Sequence, residues 1–97
     1  MLDDILQEAH AITHADRNVT YGPPVEDYTR AVELFRLISG VDLNPEEGAL
    51  FMLAVKLSRL RHNLDAGIVH RDSLVDAAGY LWCFGSIVEA REAHDIR

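Results

Sequence analysis

The chain has 97 residues, a single-domain length, and its 48% hydrophobic and 26% charged content is ordinary for a soluble globular protein. A formal net charge of −7 argues against a phosphate-tracking nucleic-acid binder, which needs a basic face. No run reaches the ~18 apolar residues of a membrane span, Asp3, Asp4 and Glu8 stand where a secretory leader would be basic and apolar, and a lone Cys83 excludes an internal disulfide and suits a reducing compartment, so a cytoplasmic protein is expected.

The first helix is expected over residues 2–14, with Leu2, Ile5, Leu6, Ala9 and Ile12 on one face. Asp3 and Asp4 occupy its first turn, where the helix dipole favours negative charge. His10 and His14 have a metal-compatible spacing with Asp16 close behind, but no second anchored ligand pair accompanies them, so surface histidines are the better reading. Residues 15–25 break the periodicity: Gly22-Pro23-Pro24 cannot continue a helix, and Pro24 suits the first position of the next. Arg17 and Tyr21 on this loop are groups able to grip a ligand; the plainer reading makes them a surface charge and a packing anchor.

A second helix, residues 25–39, carries an apolar stripe of Tyr28, Ala31, Val32, Phe35 and Ile38, widened by Leu34 and Leu37, and Gly40 ends it. Asn44-Pro45-Glu46-Glu47 then reads as a capped helix start, with Glu46 and Glu47 favoured there by the dipole. The third helix is apolar on every side from Ala49 to Val55, more than a chain of this size can enclose, which implies a second chain over one face.

Lys56 interrupts that apolar helix, and Arg59 follows it by about one turn. A buried cation needs a carboxylate or an escape to water along its own stem. After a loop over residues 62–71 with Gly67 as its pivot, Asp72 and Ser73 open the last helix, which runs to about Arg91, and the polar tail over residues 89–97 is expected to fray. Folding the two helices together brings Lys56 and Arg59 to Asp72 and Asp76. Two structural readings compete with a ligand site here. Ser73-Leu74-Val75-Asp76 is a variant capping box, and the four charges can simply neutralise one another and fix helix register. Cys83 lies within the apolar pattern as buried filler. No P-loop, dinucleotide fingerprint, C-x-x-C pair or nucleophile elbow is present.

Three motifs together resemble a known group. Asp16-Arg17 with Tyr21-Gly22-Pro23, Lys56 with Arg59, and Asp72 with Asp76-Ala77-Ala78-Gly79-Tyr80 resemble small uncharacterised phage proteins that are distantly similar to the MazG-like all-α nucleoside triphosphate pyrophosphohydrolases. The resemblance implies an all-α, MazG-like four-helix bundle over residues 1–97, completed as a dimer or tetramer, in the host cytoplasm. In that superfamily an E-x-x-E pair and an E-x-x-D pair hold Mg²⁺ on the triphosphate. Here Lys56 and Arg59 stand about where the first pair would be, and Ser73 replaces the Glu of the second, leaving Asp76 in place with Asp72 beside it. Two cations beside two carboxylates leave no surplus negative charge to hold a hard dication.

The expectation is therefore a non-catalytic or weakly active relative without a resident metal, Mg²⁺ entering only if catalysis remains. It would hold a nucleotide or phosphate through Asp16, Arg17, Tyr21, Lys56, Arg59, Asp72 and Asp76. One alternative is an oligomeric module that binds a host or phage protein, its Lys/Arg–Asp network purely structural. The other is a Mg²⁺-dependent pyrophosphohydrolase.

Overall fold

Helix ends lack backbone hydrogen-bond partners, and the places where this sequence supplies them set the boundaries of the fold. The structure, a computed structural model, describes residues 1–14 and 20–95, with side chains to residue 93. It contains α1 (Leu2–His14), α2 (Pro24–Ser39), α3 (Pro45–Asp65) and α4 (Arg71–Asp95), and no strand among the described residues, as expected of an all-α chain.

The start of α3 is a reciprocal capping box. Glu47 N–H donates to Asn44 Oδ1 at 2.9 Å while Asn44 N–H donates to Glu47 Oε1 at 3.0 Å. α2 begins on Pro24, whose missing N–H is no loss there, and ends with Gly40 N–H donating to the Arg36 carbonyl at 2.8 Å.

α3 is longer than the sequence suggested, reaching Asp65 instead of giving way to a loop at residue 62. Its end is a Schellman motif: Ile68 N–H reaches the Asn63 carbonyl and Gly67 N–H the Leu64 carbonyl, both at 2.9 Å. Gly67 takes φ 76°, left-handed backbone that a side chain resists. The remaining loop is short, and α4 opens at Arg71, one residue before the expected start.

Ser73 is consequently inside the first turn of α4 and is no N-cap, which removes the variant capping box from Asp76. The Ser73 hydroxyl instead pairs with His70 Nδ1 at 2.7 Å. α4 also continues past Arg91 to Asp95.

α4 is the hub, in contact with all three other helices, and its widest contact is with α3. Two small cores lie along it. Tyr28, Ala49, Cys83 and Ile87 form one, with Val25, Met52 and Phe84 packed against it. Ile5, Ala9 and Val75 form the other, which seats α1 on α4. Among the described residues, α1 touches no other helix. It buries Ile5, Ala9 and Thr13, while Ile12 stays half exposed; Thr13 is tolerated inside because its hydroxyl donates to the Ala9 carbonyl at 2.9 Å.

Between α2 and α3 the backbones come close at Gly48, where an added Cβ would lie 2.9 Å from Val32 Cγ1. On the outer side of this contact the helices remain open, so Phe51 is 64% and Ile38 85% exposed. No helix among the described residues is long and apolar enough to cross a membrane.

Candidate functional site

Three ion pairs fix how α4 lies on its neighbours. Arg71 at its start binds Glu8 of α1, Arg91 near its end binds Glu46 at the start of α3, and Lys56 Nζ lies 3.0 Å from Asp76 Oδ2 between them. The order of these contacts makes α3 and α4 antiparallel. Lys56, whose side chain is 14% exposed, therefore finds the carboxylate that its position demanded, and Asp76 keeps 43% of its side chain open to water.

The rest of the expected constellation does not assemble around that pair. Arg59 and Asp72 are exposed, and neither makes an ion pair among the described residues. Only the Arg59 backbone carbonyl is engaged, accepting from Asn63 Nδ2 at 2.8 Å. Tyr21 is 53% exposed and its carbonyl accepts from Arg30 Nη2 at 2.7 Å. Asp16 and Arg17 fall outside the described residues.

Asp76 and Tyr80 line a small cavity between α1 and α4 with Ala9, Thr13, Val75 and Gly79. At about 40 Å³ it has room for roughly two or three waters. On the other flank of α1, a void of about 200 Å³ is bordered by Leu6, His10, Ala78 and Trp82. His10 and His14 stack there at 3.9 Å between ring centroids, and His14 meets Trp82 at 4.6 Å. Nδ1 of His14 is occupied by the His10 carbonyl at 2.8 Å.

A hard dication needs several convergent carboxylates, and among the described residues no group of three or more His, Cys, Asp or Glu side chains comes together. The one carboxylate of the expected set that faces the helix contact already carries the Lys56 ammonium.

Sequence reasoning missed the burial of Glu46, for which it expected only a pairing with the dipole of its helix start. It is 7% exposed, and Arg91, assigned to a fraying tail, is its counter-ion. Both carboxylate oxygens are shut off from water, so Arg91 is what balances their charge. The signal was present: Glu46 falls one turn before Ala49 on the buried face of α3, and Arg91 one turn after Ile87.

A larger concavity lies elsewhere. A groove of about 470 Å³ runs between α2 and α3, lined by Tyr28, Val32, Phe35, Leu43, Phe51 and Met52 among others. Its walls are almost wholly apolar, and its volume is in the range of pockets that take up a substantial apolar group.

Residues 4–88 match the family described as "Domain of unknown function (DUF6378)". The chain is similar to the Gene 55 protein of Mycobacterium phage D29, 34% identical over 89 residues that cover 92% of this chain and 56% of that protein. It is likewise 34% identical to the Gene 55 protein of Mycobacterium phage L5 over 77 residues, 78% of this chain and 47% of that one. The chain thus spans about half the length of the curated relatives it matches. No solved structure matches it.

Proposed function

Because the chain belongs to the DUF6378 family, whose description assigns no activity, we propose that this domain works by binding another helical protein, with Lys56–Asp76 as a structural pair that sets the α3–α4 packing. The observation that carries this reading is the apolar groove between α2 and α3, along which large side chains such as Phe35 and Phe51 stand exposed. Exposed apolar surface of this extent marks a contact site more often than it marks free surface. The relatives are phage proteins, so the partner is sought among phage or host proteins.

A second reading is favoured by one specific feature: Asp76 is half open to water, lines a cavity with Tyr80, and holds a lysine that could turn toward an anion. In that reading the domain is a MazG-like relative that binds a nucleotide or phosphate without efficient catalysis. Its support is the likeness of Lys56–Arg59 and Asp72–Tyr80 to the MazG pattern. Pyrophosphohydrolase activity would follow from the same likeness, and pyrophosphate release from a nucleoside triphosphate, lost in Asp76→Ala, would establish it.

Thermal unfolding separates the two. A ligand that binds only the folded state raises the midpoint by mass action. The binding-module reading expects no shift from inorganic phosphate or any nucleoside triphosphate, with or without Mg²⁺. A rise that disappears in Lys56→Met would sink it and install the second reading.

A further inference from the structure

We infer that the α2–α3 groove seats an amphipathic helix of another protein, one with a narrow apolar stripe and Lys or Arg beside it. The inference rests on the binding-module reading and gives the chemistry of its partner.

The groove has the floor and walls of a helix seat. Tyr28 and Val32 lie at its base, 5% and 8% exposed, where α2 and α3 come together at Gly48. Phe35, Val41 and Phe51 border it and stand 42%, 49% and 64% exposed. The α2 lining runs from Tyr28 to Phe35, about 10 Å of helix. Side chains at i, i+4 and i+7 of a guest helix span the same distance, and a volume of about 470 Å³ holds several of them. Surface area agrees that something is missing. A compact monomer of this mass exposes about 5,600 Å², whereas this chain exposes 6741 Å², a surplus larger than the ~800 Å² that each partner buries in a standard interface.

Charge gives the sign of the occupant. Residues 37–55, which make the α2–α3 turn and the α3 wall, contain Asp42, Glu46 and Glu47 and no Lys or Arg. Arg91 balances Glu46. Asp42 and Glu47 are exposed and stand next in sequence to the lining residues Val41, Leu43 and Gly48. The nearest cation in sequence is Arg36, so this end of the groove is net negative. At the other end Asp27 and Arg30 pair with each other at 3.9 Å. A guest with Lys or Arg flanking its apolar stripe meets the two carboxylates favourably. A second copy instead brings a further net charge of −7 toward them.

Fluorescence anisotropy on the full chain reads the binding of three labelled synthetic peptides. The first is an alanine helix with Leu at i, i+4 and i+7 and Lys along both flanks. The second has the same residues with the Leu spread round the helix, and the third has Glu for Lys. The first is expected to bind about tenfold more tightly than either of the others. Phe35→Asp and Phe51→Asp are each expected to abolish that binding while circular dichroism keeps the helical signal, since both side chains are already exposed. Leu81→Asp makes the same change of charge at a 57% exposed α4 residue outside the groove, and is expected to bind as the wild type does. Asp42→Asn combined with Glu47→Gln, which keeps the capping box, is expected to weaken binding about fivefold, as loss of two exposed charge contacts does.

No binding of the first peptide, equal binding of the second or third, or binding that survives both Phe variants overturns the inference. So does a wild-type mass of twice 10.9 kDa that Phe51→Asp halves, which gives the groove to a second copy. None of these results alters the nucleotide titration above, so an error in the occupant is distinguishable from failure of the binding-module reading.

Discussion

Lys56 and Asp76 share one contact but not one environment, and the difference fixes what each contributes. Lys56 is 14% exposed and Asp76 43%. Removing the carboxylate leaves an ammonium that is largely shut away from water, whereas removing the ammonium leaves a carboxylate that water already reaches. Asp76→Asn is therefore expected to cost about 1–2 kcal/mol, and Lys56→Met less than about 1 kcal/mol. Lys56→Met combined with Asp76→Leu should recover most of the larger loss, as replacement of an ion pair by apolar groups often does. Urea unfolding of the four proteins gives the cycle. Equal costs for the two single changes would mean that the exposure difference is immaterial and that the pair acts as a surface bridge.

At the scale of the helix, Glu46 and Arg91 tie the start of α3 to the far end of α4. Glu46 is the more deeply buried of the two, its side chain 9% exposed against 51% for Arg91. Arg91→Ala strands a buried carboxylate and should cost about 2–3 kcal/mol. Glu46→Gln, which removes the charge and keeps the shape, should cost less. Thermal unfolding ranks them, and the reverse order would show that Arg91 contributes chiefly by packing.

Gly67→Ala tests a different kind of stop. No atom lies within 4 Å of the added methyl, so only the left-handed backbone is penalised, at about 1 kcal/mol.

These elements also show what the sequence could convey. Local chemistry was legible: Asn44 and Glu47 cap each other as their spacing indicates, and Pro24 and Gly40 bound α2. The Lys56–Asp76 meeting was legible too, because a cation on an apolar face has few options. Azimuth was not. Arg59 and Asp72 each lie about one turn from a member of the pair, yet rotation about the helix axis carries both outward into solvent, and spacing alone does not say how two helices are turned toward each other. The α1 stripe failed similarly, Thr13 taking the buried place expected of Ile12 because a hydroxyl bonded to its own helix packs as a small apolar group. Asp16 and Arg17, half of the loop motif, lie outside the described residues.

For the whole molecule, the disposition of apolar residues decides whether stability depends on concentration. Among the described residues α1 is held by a small core, the Arg71–Glu8 ion pair and the His14–Trp82 contact, and α2 leaves Leu37 and Ile38, at 72% and 85%, in water. Such a chain gains stability from whatever covers α2 and α3, and if that is a second copy, unfolding separates two chains. The midpoint must then rise with protein concentration. With ordinary unfolding entropy per residue, a tenfold increase raises it by about 4 °C for a dimer of this length. A monomer shows no such slope. Phe51→Asp should flatten the dependence and bring the midpoint at high concentration down to that of a dilute sample. Leu2→Asp, at a 65% exposed position on α1, should leave the slope intact. Calorimetry at three concentrations distinguishes these outcomes, since a flat wild-type midpoint would mean that the monomer bears its exposed face unaided, whereas a slope that survives Phe51→Asp would place the contact on another surface.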